Sequence, residues 1–220
     1  MAEFVGRRLP VYLVLDCSGS MTGEPIEACR QGVRALLADL RSDPQALETA
    51  YLSVITFNNT AQQVCPLTEL TSFVEPNLAA TGSTALGEAL TLLEQCLDRE
   101  VRKSAPGQKG DWKPLVFLMT DGQPTDAWDA AADRIKKKRV GNIIACAAGP
   151  AADAGMLKRI TETVVELSNL QPDQLKAFFK WVSSSIRTAS QKIDLTPIEG
   201  GAGPGGLPPP PAGSGIVIVP

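Results

Sequence analysis

Val11-Tyr12-Leu13-Val14-Leu15 runs directly into Asp16-Cys17-Ser18-Gly19-Ser20. Five β-favouring apolar residues without polar alternation predict a strand buried on both faces, as in a parallel sheet. One carboxylate and two hydroxyls then fall in the loop at the strand's C-terminal end. Leu115 to Met119 repeats this pattern and runs into Thr120-Asp121-Gly122. A third polar cluster, Thr81-Gly82-Ser83-Thr84, precedes the helical spacing of Leu86, Leu90, Leu93, Leu97 and Val101.

Outward from these stretches, strands and helices alternate. Glu24-Pro25 opens a helix striped by Ile26, Cys29, Val33, Leu36, Leu37 and Leu40, closed between Arg41 and Pro44. Tyr51 to Phe57 and Ala61 to Cys65 read as strands around an Asn58-Asn59 hairpin turn, with Pro66 ending the second. Helices are expected over 126–138, 152–161 and the stripe from Leu175 to Ile186, and strands over 141–148 and 163–167. This order predicts an α/β fold: a doubly wound, mainly parallel central sheet, Rossmann-like, with one antiparallel edge strand and helices on both faces.

The boundary falls at a change of composition. Residues 1–192 form the expected domain, and residues 193–220 are rich in Gly and Pro, including Pro208 to Pro211. Such a segment buries little apolar surface, so a flexible, partly polyproline tail is expected. It ends in the β-prone cassette Gly215 to Pro220, read either as an added strand at a sheet edge or as an unstructured end.

Composition excludes several chemistries. The 220 residues include no histidine, which removes Ser-His-Asp and Cys-His catalysis and every His-ligated zinc site. The five cysteines have no CxxC spacing and apolar neighbours, which suits reduced thiols in a cytoplasm. A net charge of −3 predicts no nucleic-acid or membrane partner through bulk electrostatics. No apolar run reaches signal-peptide or membrane-spanning length. The basic run Lys136 to Arg139 is expected at a helix end, where cations complement the dipole, in preference to an anion-binding patch.

The three polar clusters acquire meaning together. In a doubly wound sheet, ligands bind beyond the carboxyl ends of the strands, where the winding direction reverses. If the strands ending near Asp16 and Asp121 are neighbours there, their loops meet, and Thr84 at a helix start reaches the same crest. Asp16, Ser18, Ser20, Thr84 and Asp121 then present two carboxylates and three hydroxyls. An all-oxygen set suits a hard divalent cation, Mg2+ first, with Mn2+ or Ca2+ as substitutes. Hydroxyl ligands leave the ion's charge largely unneutralised, so an open position favours an external carboxylate. Gly82 and Gly122 are expected to adopt positive φ, and Glu24 and Gly122 to lie on the partner-facing rim. Taken singly, each cluster reads as a turn or a helix cap; Asp126 in particular reads as the N-cap of the helix that follows it. Cys17 reads as a buried thiol rather than a redox-active one at the rim.

The pattern Asp-x-Ser-x-Ser, a distant Thr and a later Thr-Asp-Gly resembles the metal-ion-dependent adhesion site of von Willebrand factor type A (vWA) domains, over about Arg8 to Arg187. RLPVYLVLDCSGS, ETAYLSVITF and WKPLVFLMTDGQPT further resemble the bacterial tellurite-resistance TerY group, as do GNIIACAAG and FFKWVS. The resemblance implies a cytoplasmic, non-enzymatic interaction module. Its partner would supply a Glu or Asp to the metal, and a protein kinase and a PP2C-type phosphatase would act in the same stress-response system.

Two rival readings come from other classes. A Mg2+-dependent phosphotransferase of haloacid-dehalogenase type would use Asp16 as nucleophile, but its acid/base Asp two residues on is Ser18 here. Alternatively, the chain is a regulatory substrate phosphorylated at Ser183 to Ser185, Thr188 or Ser190 near the end of the last helix.

Overall fold

Along the first strand, side chains alternate between two separate cores. The computed structural model describes residues 7–107, 109–138, 140–192 and 207–220. Strand β1 spans Leu9–Asp16, with every residue buried. Leu9, Val11, Leu13 and Leu15 face one core, whereas Tyr12 and Val14 face the other. This is the period-two signature of a strand covered on both sides.

The remaining strands are β2 (Ala50–Phe57), β3 (Ala61–Glu69), β4 (Leu115–Thr120), β5 (Asn142–Ala148), β6 (Thr163–Leu167) and β7 (Ile216–Val219). They form one sheet in the order β3-β2-β1-β4-β5-β6-β7. Strands β2, β1, β4, β5 and β6 are mutually parallel; β3 and β7 are the antiparallel edges. The chain winds outward from β1 through β2, then returns to β4 on the opposite side of β1. The β1/β4 pair is therefore the topological switch point.

Helices α1 (Glu24–Ser42), α2 (Pro44–Thr49) and α6 (Pro172–Lys192) cover the Leu13 face. Helices α3 (Leu86–Glu100), α4 (Asp129–Lys137) and α5 (Ala154–Leu157) cover the Tyr12 face. Helix α2 is an addition to the expected elements: Asp43 ends α1 and caps α2 by accepting from the Ala46 N–H at 2.9 Å. Strand β3 continues beyond Pro66 as far as Glu69. Its register shifts where Leu52 pairs with Thr68 but Val54 with Cys65. Proline is tolerated there because β3 is an edge strand with a bulge.

The largest departure from expectation lies at the C-terminal end. A flexible segment throughout 193–220 does not hold for Leu207–Pro220, and the sheet has two antiparallel edges rather than one; residues 193–206 lie outside the described residues. Ile216–Val219 pairs with β6 from Leu167↔Ile216 to Val164↔Val219. Leu207 and Ile216 are buried in the α1/α6 core. The Trp181 indole N–H donates to the Pro208 carbonyl at 2.9 Å, and Lys158 Nζ donates to the Val219 and Pro220 carbonyls at 2.8 Å each. The open ladder of β6 and a few apolar anchors are enough to order a Pro-rich stretch.

The same core removes most of the phosphorylation sites considered above. Ser183, Ser185 and Ser190 are buried, and only Ser184 and Thr188 of that group reach the surface in part. No helix among the described residues is long and apolar enough to cross a membrane.

Candidate metal centre

Asp16 ends β1, and Asp121 follows β4 directly. Parallel pairing aligns Leu15 with Met119, so the two carboxylates emerge side by side at the switch point. The Asp16 carboxylate is 1% exposed and both its oxygens are engaged. Oδ1 accepts from the Ser18 N–H at 2.8 Å, and Oδ2 from the Thr120 hydroxyl at 2.6 Å. A short 3-10 turn over Gly19–Met21 carries the loop back toward β4. There Ser18 and Ser20 place their hydroxyls 3.0 Å apart, and Ser20 donates to Asp121 Oδ1 at 2.9 Å. Four of the five expected ligand side chains thus converge.

Thr84 arrives from the far side of the crest. Its Oγ1 lies 3.6 Å from where a Cβ on Gly122 would sit, which puts it against the Asp121–Gly122 turn. The loop bearing it is braced on three sides. Thr81 N–H donates to the Cys17 carbonyl at 2.8 Å, and Gly19 N–H to the Gly82 carbonyl at 2.9 Å. Asn59 Oδ1 accepts from the Ser83 N–H and hydroxyl at 2.8 and 2.9 Å. The Thr84 N–H donates to Thr125 Oγ1 at 3.1 Å, and the Thr125 N–H returns to the Thr84 carbonyl at 2.9 Å.

Two expectations need correction here. Gly82 has φ +76°, and a Cβ there would overlap the Asn59 side chain, so glycine is required. Gly122 does not adopt positive φ, and an added Cβ would make only ordinary contact with Thr84. Asp126 does not cap its own helix; it caps α3. Its two carboxylate oxygens accept from the Gly87 and Glu88 N–H groups at 2.9 Å each. The close approach depends on Gly87, where a Cβ would lie 2.6 Å from the Ala127 carbonyl. Asp126→Ala is expected to cost about 1–2 kcal/mol, the usual worth of a cap. Thermal unfolding checks this, and an unchanged Tm would show that water replaces the carboxylate without loss.

Sequence reasoning missed the bracing residues Thr125 and Asn59 as parts of the site, and placed Thr120 in its polar cluster without foreseeing its hydrogen bond to Asp16. Of the two missed residues, Asn59 carried a signal, as a hairpin-turn residue next to a strand end. Of the rim positions, Glu24 is exposed in the first turn of α1 and Gly122 is half-buried.

Burial pushes both carboxylates upward in pKa. For Asp16 burial is the largest cause; its hydrogen bonds from Thr120 and Ser18 oppose the rise, and the Asp121 charge adds to it. For Asp121 burial again dominates, against the Ser20 hydrogen bond. Two carboxylates withdrawn from water at one point favour a counter-charge, either protons or a cation. Among the described residues no group of three or more Cys, Asp or Glu forms a metal cage, so a cation here would rely on hydroxyl donors. Cys17 is 2% exposed, and burial, with the Asp16 charge, pushes its thiol up to about 12 against a small opposing effect of Arg30. It is an inert core thiol.

The sequence model of the von Willebrand factor type A domain matches residues 11–179. The chain belongs to the vWA domain family. The vWA domain is 36% identical over 125 residues to the uncharacterized protein sll0103 of Synechocystis, covering 53% of this chain and 26% of that protein. It is 27% identical over 149 residues to the E3 ubiquitin-protein ligase WAVH1 of Arabidopsis thaliana, covering 61% of this chain and 21% of the ligase. The chain therefore spans about a quarter of the length of these relatives. Among solved structures, the von Willebrand factor type A protein of Catenulispora acidiphila superposes with a TM-score of 0.65 at 18% identity, covering 83% of this chain and 43% of that one. Proximal thread matrix protein 1 of the mussel byssus, with a zinc-occupied MIDAS motif, superposes at 0.58 and 18% identity, covering 81% and 48%. At such identities these likenesses establish the fold, including the mainly parallel sheet with helices on both faces.

Proposed function

We propose that Asp16, Ser18, Ser20, Thr84 and Asp121 hold one divalent cation, and that the domain uses it to grip a carboxylate of another protein. The observation that carries this reading is the continuous oxygen chain from Ser18 through Ser20 to Asp121, closed by buried Asp16 and flanked by Thr84. The donors are hard oxygens, and only two of them carry charge, which suits Mg2+, with Mn2+ or Ca2+ as substitutes. When bound, the cation supplies a Lewis-acidic anchor with a position left for an incoming Glu or Asp. Exposed Glu24 and the backbone at Gly122 form the rim that the partner meets. The zinc-occupied MIDAS motif of the mussel protein supports metal binding at the corresponding crest.

On this reading the domain is an adaptor, not an enzyme. The segments quoted above favour a cytoplasmic role in a bacterial tellurite-resistance or stress-response system of the TerY kind. A protein kinase and a PP2C-type phosphatase are the partners that this assignment suggests. The haloacid-dehalogenase alternative gains nothing from the geometry: Asp16 has both oxygens engaged, and Ser18 stands where that chemistry uses a second Asp.

The test is purification from the native host in Mg2+ or in EDTA, with Thr84→Ala in parallel. The braces at Thr84 are backbone groups, so removing the hydroxyl leaves them in place. Partner proteins are expected to elute with EDTA and to be absent from the Thr84→Ala preparation. Identical co-elution in all three samples would sink the proposal.

A further inference from the structure

At the pole of the sheet opposite the metal centre, three stretches remote in sequence line one half-open cavity of about 650 Å3. Arg102 and Lys103 follow α3, Lys113 precedes β4, and Lys137 ends α4. None of these four cations lies within ion-pair distance of a carboxylate among the described residues, although the Lys103 charge reaches Asp98 and helps to lower its pKa. The two acids in the wall are already matched. Asp111 accepts from Arg8 Nε and Nη2 at 2.9 and 2.6 Å and from the Arg102 N–H at 2.8 Å. Asp98 pairs with Lys138 at 2.6 Å. The floor between them is formed by Leu97, Val101, Trp112 and Val140, and one face of the Trp112 ring is covered by the Arg7 guanidinium, 3.6 Å from the ring centroid, which leaves the other face for a ligand.

The plain explanation is compensation of helix dipoles, since α3 and α4 both direct their C-terminal ends here. Its magnitude falls short. Each helix end carries roughly half a negative charge, so two ends call for about one cation. Four cations exceed that requirement, even with the Lys103 charge partly offset by Asp98, on a chain whose net charge is −3. Like charges gathered at one cavity repel one another, which disfavours the arrangement unless an anion offsets it. A single monovalent anion at exposed lysines gains about 1 kcal/mol or less. A polyvalent anion that meets several of them at once gains more. The apolar floor adds room for a flat ring, and the volume lies within the usual range for small-molecule sites.

We infer that this cavity binds a nucleoside polyphosphate, with the phosphates on the Arg102, Lys103, Lys113 and Lys137 rim and the base over the Val101–Trp112–Val140 floor. The site is separate from the metal centre and does not depend on the function proposed for it.

The test titrates ATP, inorganic tripolyphosphate and adenosine into the full chain in EDTA at low salt, reading tryptophan fluorescence and heat. EDTA leaves the Asp16–Asp121 crest as a pair of carboxylates that repels the two polyphosphates. ATP is expected to saturate below about 1 mM, to weaken steeply with salt, and to bind at least about tenfold more tightly than tripolyphosphate or adenosine. Lys103→Ala/Lys113→Ala, both exposed positions, is expected to weaken ATP by about tenfold or more while Tm stays unchanged. No saturable ATP binding, or equal binding by the double variant, overturns the site. Tripolyphosphate binding as tightly as ATP overturns the nucleotide assignment.

Discussion

Asp121→Asn is expected to make the metal-free protein more stable and to weaken its response to Mg2+. Asp121 Oδ1 only accepts, from Ser20, and an asparagine oxygen can do the same. What the substitution removes is a buried negative charge beside Asp16. Both carboxylates have folded-state pKa values raised above the usual 3.8 by burial. A carboxylate raised in this way binds its proton more tightly in the folded state. Without metal, its contribution to stability is therefore greatest at low pH, declines as pH rises from 3.8 through the raised folded value, and is flat above it. Mg2+ competes with those protons, so its stabilising effect grows with pH across the same window. Saturation at about a hundred times the dissociation constant is worth about 2.7 kcal/mol. For a chain of this size that is a rise in Tm of roughly 5–10 °C. Losing this carboxylate is expected to weaken Mg2+ by at least about tenfold, since even outer-shell groups are worth 10–100-fold. Thermal scans of both proteins between pH 4 and 8, with Mg2+ or EDTA, decide the matter. A wild-type Tm indifferent to Mg2+ throughout would remove the cation from this crest.

Deleting residues 207–220 is expected to destabilise the domain and to make it self-associate. The deletion exposes the core surface covered by Leu207 and Ile216, large side chains worth about 2 kcal/mol each. It also removes the ladder to β6, the Trp181–Pro208 hydrogen bond and the Lys158 contacts. A loss of about 4 kcal/mol corresponds to a fall in Tm of roughly 10 °C. The second effect follows from the edge itself. With β7 gone, β6 offers unpaired backbone groups beside Val164, Val165 and Leu167, a template for pairing between chains. Light scattering should show mass rising with concentration. Val217→Lys is the control: Val217 is 58% exposed, and its substitution leaves both Tm and mass unchanged. A truncated protein that stays monomeric with an unaltered Tm would mean that the strand is not an integral part of the sheet.

The site and the fold were legible to different depths. The run 11–15 and its counterpart 115–119 announced buried parallel strands because an apolar run of strand length is a local property. Their neighbours at the switch point followed from the alternation of strands and helices. Pro66 misled because proline's cost depends on whether the strand is central or at an edge, a fact of the assembled sheet. Asp126 misled for a similar reason. A carboxylate before a helix looks like that helix's cap, and only packing showed that it serves α3, 38 or more residues earlier.

What the sequence alone determined were the hydroxyl and carboxylate side chains of the crest, their order, and the strands that carry Asp16 and Asp121 to one end of a sheet. Periodicity and turn chemistry are encoded within a few residues, so they survive without coordinates. The tertiary structure alone decided the braces from Asn59, Thr120 and Thr125, the docking of 216–219 on β6, and the basic cavity at the opposite pole. Each depends on groups separated by tens of residues, whose meeting is set by how the sheet twists and the helices pack rather than by any local preference.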